Sequence, residues 1–185
     1  MSGGHGHVDH GSNKGVALLI SVLALVLALS ETLGKSAQTN AMTSNVEASN
    51  LWAFFQAKTI RQTVMRTAAE EALAEHGDAA PPALKKQISK WRDTADRYQS
   101  EPETGEGRKE LAARAKKAEE RRDKSLAAYH HYEFGSAAVQ IAIVLASASI
   151  ITTMPILVWI AGGLGAIGIG FCVIGFFFPT AVQLI

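Results

Sequence analysis

Phe134–Met154 and Ile156–Phe178 each run for about 20 residues without one charged side chain, the length at which an α-helix crosses a bilayer. A third apolar run, Val16–Leu29, is interrupted only by Ser21 and lies within residues 15–34. These runs constrain the fold more than any other feature, because charge is excluded from them and gathered elsewhere. Of the 18 Lys and Arg residues, all but Lys14 fall between Lys35 and Lys124. Of the 17 Asp and Glu residues, all but Asp9 and Glu31 fall between Glu47 and Glu133. A soluble domain mixes charge along its length, whereas a membrane protein separates it. The central cations and carboxylates nearly cancel, so the clear basic excess of a nucleic-acid surface is missing.

The chain divides accordingly. Residues 1–14 are a His- and Gly-rich tail, and residues 15–34 a first transmembrane helix. Its short apolar core would also suit a signal peptide, but the preceding tail is not strongly basic, so a retained helix is expected. Residues 134–154 and 156–178 are the second and third spans, with a C-terminal tail over 179–185. Pro155 separates the last two, since proline lacks the backbone donor that a continuing helix needs. The short link makes these two spans antiparallel.

Residues 35–133 read as helix throughout, rich in Ala, Glu, Lys, Arg and Gln, which are strong helix formers. Gly77 followed by Pro81 and Pro82 marks a tip near 77–82, and Pro102 with Gly105 and Gly107 marks a break near 100–107. The return arm shows heptad steps at Leu84, Ile88, Trp91, Ala95 and Tyr98, then at Leu111, Ala115, Ala118, Arg122, Ser125, Tyr129 and Tyr132. On the outgoing arm the apolar stripe runs through Met42, Val46, Ser49, Ala53, Ala57, Ile60, Val64 and Ala68. Such narrow stripes predict a coiled-coil seam. At 1.5 Å per residue the outgoing arm spans roughly 60 Å and the return helices roughly 65–70 Å, so the arms match. The predicted fold class is therefore an all-α membrane protein: three transmembrane helices, with a long antiparallel coiled-coil hairpin between the first and second.

Trp52, Phe54 and Phe55 point around most of the helix, and a two-helix hairpin buries only one face. The expectation is a larger bundle or an oligomer, with these aromatics filling space near the 100–107 break. Gly162, Ala166 and Gly170 repeat at four residues, the spacing that lets transmembrane helices approach closely, within or between protomers.

The stretch from Asn40 to Arg61 carries the signature Trp52-Ala-Phe-Phe-Gln-Ala-Lys-Thr-Ile60. In this it resembles a bacterial family of small membrane proteins filed as domain of unknown function 4337. The resemblance covers nearly the whole chain: a His-containing tail, one span, a long charged helical region and two closing spans. It implies a fold and a bacterial inner-membrane location but no activity. The break at 100–107 departs from the continuous return helix that the family implies.

Chemistry-bearing residues are few. His5, His7, Asp9 and His10 form an H-x-H-x-D-H cluster, and imidazoles at this spacing can hold zinc, copper or nickel. Glu31 and Gln140 stand at corresponding ends of their spans, where they could share a hydrogen bond or, with Ser147 and Ser149, line an ion path. Cys172 is the single cysteine and reads as a small packing residue. Tyr129, Tyr132 and Phe134 suit an interfacial aromatic belt. The basic run Arg114, Lys116, Lys117, Arg121, Arg122 and Lys124 is interleaved with carboxylates and reads as a solvated face. No nucleophile–base pair or metalloenzyme motif is found, so neither catalysis nor a cofactor is expected.

Cations near the spans lie on the hairpin side, with only Lys14 opposite, which places the hairpin in the cytoplasm. The expected function is a structural or scaffolding membrane protein that self-associates, or docks a protein partner, through its hairpin. The alternatives are a pore or transport subunit of an oligomer, and a membrane sensor with a metal-binding tail.

Overall fold

The computed structural model describes residues 10–181. It is all-helical, with no strand among the described residues. Helix α1 spans His10–His76, α2 Pro82–Gln99, α3 Arg108–Thr152 and α4 Ile156–Phe177. Three of them, α1, α3 and α4, contain stretches long and apolar enough to cross a membrane.

Each helix stops where its backbone chemistry dictates. Gly77 takes a left-handed conformation (φ +49°) that closes α1, and a single 3-10 turn over Gly77–Ala79 follows. Pro82 then opens α2, where its missing N–H costs nothing. Thr153 lies at φ +54°, an unusual region for a β-branched residue, at the corner between α3 and α4. Pro155 caps the start of α4.

The chain forms two compact units, 1–41 with 123–185, and 42–122. In the first, Leu23, Val139, Ala142, Ala146 and Ala161 make a closely packed core. Small residues allow it. On α4 the inward positions Ala161, Gly165, Gly168 and Gly175 are buried. A Cβ on Gly168 would stand 2.6 Å from Val139 Cγ2 and 2.9 Å from the Gly135 carbonyl. Helices in lipid gain little from apolar burial against one another and associate through such close contact.

In the second unit α1 lies against α2 and the first turns of α3. Its contacts run through opposed numbering: Glu47 with Arg121, Trp52 with Glu119, Thr59 with Arg108, Gln62 with Gln99 and Arg66 with Asp96. Ala48, Leu51, Leu111, Ala115 and Ala118 form its core, with Trp52 and Phe55 packed alongside.

On the return side Ile88, Ala95, Leu111, Ala115 and Ala118 are buried, but the expected stripe on α1 is not. Met42, Val46, Ile60 and Val64 are 67%, 58%, 65% and 56% exposed. The inward face is instead Ser44, Ala48, Leu51, Phe55, Lys58, Gln62 and Ala69, all buried or half-buried. Polar residues occupy this seam because the partner helices satisfy them. Gln62 Nε2 donates to the Ala95 carbonyl at 3.0 Å and to Gln99 Oε1 at 3.1 Å. A buried amide so bonded escapes the penalty of an unmade hydrogen bond.

Candidate functional site

Two clusters of polar side chains stand out, one in each unit. The first joins three helices. Ser30 on α1 is 1% exposed, and its hydroxyl donates to the Tyr132 carbonyl at 3.0 Å. Ser136 Oγ donates to Ser30 Oγ at 2.9 Å, and Cys172 Sγ on α4 reaches the same oxygen at 3.3 Å. One buried hydroxyl thus ties α1, α3 and α4 together. Gln140 Nε2 donates to Glu31 Oε1 at 3.2 Å. Both residues line a groove of about 470 Å³ together with Lys35, Gln38, Tyr129 and Glu133. Ser147 and Ser149 spend their hydroxyls on the Ile143 and Ala146 carbonyls of their own helix, at 2.8 and 2.6 Å. His131 is buried, its Nε2 3.2 Å from the Pro179 carbonyl and its Nδ1 without a hydrogen-bond partner.

Among the described residues, the stripe Gly162, Ala166, Gly170 makes no close packing contact within unit 1. A Cβ on Gly162 or Gly170 would meet nothing within 4 Å, and Ala166 is exposed. The inward glycines are their neighbours, one register over.

The second cluster surrounds Lys58, which is 6% exposed. Its ammonium lies 3.7 Å from Glu101 and 3.8 Å from Glu106, and over the rings of Phe54 and Tyr98 at 5.4 and 5.1 Å. A buried lysine needs such counter-charges and ring faces to offset lost hydration. Arg108 lies 5.0 Å from the Phe55 ring centre, donates to Thr59 Oγ1 at 2.8 Å and to Gln99 Oε1 at 3.0 Å, and also bonds Gln62. Phe55 thus stands beside Arg108, the first residue of α3. Trp52 donates its indole N–H to Glu119 at 2.9 Å, and Phe54 is 36% exposed.

The break itself is a built turn. Glu110 accepts from the Ser100 hydroxyl at 2.6 Å and from the Glu101 N–H at 3.1 Å. These bonds hold its carboxyl below the usual carboxylate range. A side chain at Gly107 would collide with the Glu110 carboxylate and the Ser100–Glu101 backbone.

Lys58, Gln62 and Arg108 were not singled out by residue pattern, although Lys58 sits inside the Trp52–Ile60 signature. Their polarity argues for solvent until the fold supplies partners. His5, His7 and Asp9 lie outside the described residues, as does the side chain of His10.

These features define an all-helical protein whose three long apolar helices fit a membrane protein. The family model for Domain of unknown function (DUF4337) matches residues 12–178, and the chain belongs to that family. Neither the curated proteins nor the solved structures give a match.

Proposed function

We propose that this protein is a non-catalytic membrane scaffold that assembles with copies of itself. In this reading α1, α3 and α4 cross the bacterial inner membrane, and residues 35–133 form an antiparallel coiled-coil hairpin in the cytoplasm. The excess of cations beside the spans on that side supports the orientation.

The observation that carries the reading is the outward face of α1. Met42, Val46, Ile60 and Val64 are exposed and share one side of the helix with Ser49, Ala53 and Ala57. Met42, Ala53 and Val64 are spaced by 11 residues, as are Val46 and Ala57, and Ser49 and Ile60. Eleven residues are close to three helical turns, so the stripe runs nearly straight along α1. The inward face instead repeats every seven, through Ser44, Leu51 and Lys58 and through Ala48, Phe55, Gln62 and Ala69. Copies inserted in the same sense can bring the outward stripe against its own kind only in parallel, so Val46 meets Val46. The outward Gly162–Ala166–Gly170 stripe supplies a second close-contact face within the membrane.

A pore is the weaker reading. The hydroxyls of Ser147 and Ser149 are already bonded to their own helix, and the core beside them is filled with Val139, Ala142 and Ala146.

Disulfide trapping in native membranes tests the scaffold. With Cys172 replaced by Ser, Val46→Cys or Ile60→Cys forms a linked dimer on mild oxidation, while Lys117→Cys does not. Dimers at Lys117→Cys alone would overturn the assignment of the face.

A further inference from the structure

We propose that the groove between α1 and α3 in the first unit binds the headgroup of a phospholipid with a primary ammonium, of the phosphoethanolamine class. The inference rests on the membrane reading above. The groove lies where the polarity of both helices inverts within one turn. Glu31 and Gln140 line it, whereas one turn further into the spans stand half-buried Leu27 and 66%-exposed Val144. Below the groove is an apolar surface suited to an acyl chain, and above it are groups suited to a headgroup.

The charges in the groove are separated. Lys35 on α1 and Glu133 on α3 both line it, yet no ion pair joins them, and Lys35 makes none with Glu31 one turn away. The only described ion pair of Glu133 is a 3.6 Å contact with His130. A cation on one wall and a carboxylate on the other complement a zwitterion. Lys35 receives the phosphate, and Glu133 receives the ammonium, whose N–H groups donate to it. A trimethylammonium headgroup carries the same charge but no N–H donor, so it loses these hydrogen bonds. Glu31 is a second carboxylate of the groove; its Oε1 already accepts from Gln140 at 3.2 Å, and its charge adds to the attraction for the ammonium. From Glu31 to Gln38 the groove climbs roughly 10 Å along α1, comparable to one headgroup layer.

Lipid retention in detergent, read by native mass spectrometry, tests this. The purified full chain is mixed with dioleoyl phosphatidylethanolamine or dioleoyl phosphatidylcholine. The ethanolamine lipid is retained about tenfold more tightly, a difference of about 1.4 kcal/mol. Lys35→Gln and Glu133→Gln each remove that preference, while Lys35→Arg and Lys117→Gln keep it. Equal retention of both lipids by the unmodified protein overturns the proposal, and so does a preference that survives both removing variants. Soluble phosphoethanolamine that binds as tightly as the lipid would overturn the lipid assignment in favour of a free headgroup. Vesicle flotation separates the two layers of inference. A chain that does not float fails the membrane reading itself, whereas one that floats without lipid preference fails only this site.

Discussion

Within the unit 42–122, α1 and α3 turn opposite kinds of surface outward. The exposed positions on the start of α3 include Lys109, Arg114, Lys116, Lys117, Glu120 and Arg121, a surface that water solvates well. The exposed positions on α1 from Met42 to Val64 carry only two charges, Glu47 and Arg61, and Glu47 is already held 2.6 Å from Arg121. Both helices bury the opposite face in one core. The difference teaches that partner contacts within the unit account for the inside of α1 but not for its outside. The apolar stripe left on that outside is the face proposed above for self-association.

The comparison can be broken from the inside first. Leu111 is fully buried at the shared core, so Leu111→Ala leaves a cavity and costs about 2–5 kcal/mol, read from chemical unfolding of the purified protein. Lys58→Ala removes the cation that Glu101 shares with Arg97, that half-exposed Glu106 faces and that lies over the Phe54 and Tyr98 rings, and costs about 1–3 kcal/mol. A loss below 0.5 kcal/mol would show that the Lys58 cluster does not hold the turn.

Changes on the outer face of α1 act differently. Ile60→Glu alters the stability of one chain by no more than about 0.5 kcal/mol, because the site is exposed. It weakens self-association by about tenfold or more, since a charge enters an apolar contact. Chemical unfolding reads the first quantity, and sedimentation in detergent reads the second. On α3, Lys116→Gln with Lys117→Gln changes stability by at most about 0.5 kcal/mol and leaves assembly as it was. An equal loss of assembly from the α3 changes would erase the contrast between the two faces.

The turn over 100–107 sharpens the comparison through pH. The folded-state pKa of Glu110 is lowered, so its contribution is present above the unfolded value and lost as pH falls through the folded one. Unfolding of the native chain and of Glu110→Gln should therefore differ near neutrality. The difference should begin to shrink near the ordinary carboxylate value, about pH 4, and vanish only below the lowered folded-state value. A gap that persisted at lower pH would place the effect of Glu110 in its shape and not its charge.

The apolar runs and the breaks were legible because they depend on local chemistry. Uncharged stretches the length of a bilayer, Gly77 before two prolines, and Pro155 between the last helices act without any partner. The burial of Ile88, Ala95, Leu111, Ala115 and Ala118 was legible too, since they stand apolar among charges. The register of α1 was not. Its most apolar stripe faces outward, and its buried stripe contains Ser44, Lys58 and Gln62, which only the carbonyl of Ala95, the carboxylates of Glu101 and Glu106 and their neighbours make tolerable. A pattern of hydrophobicity reports which face avoids water, not which partner covers it. In the first unit, Glu31 and Gln140 could be paired by their corresponding places in two apolar runs, whereas the Ser30–Ser136–Cys172 node needed three helices in place. The outward position of Gly162, Ala166 and Gly170 likewise depends on the rotation of α4, which Gly165 and Gly168 set by their contacts with Leu23 and Val139.

In the proposed scaffold the outer face of α1 is covered by another copy of the chain. The mass of the full-length protein–detergent complex, with the detergent share subtracted, tests it most directly. The native protein should have at least twice the chain mass, and Val46→Glu combined with Ile60→Glu should have the mass of a single chain. A single chain for the native protein, in a mild detergent and at concentrations well above those in the membrane, would contradict it.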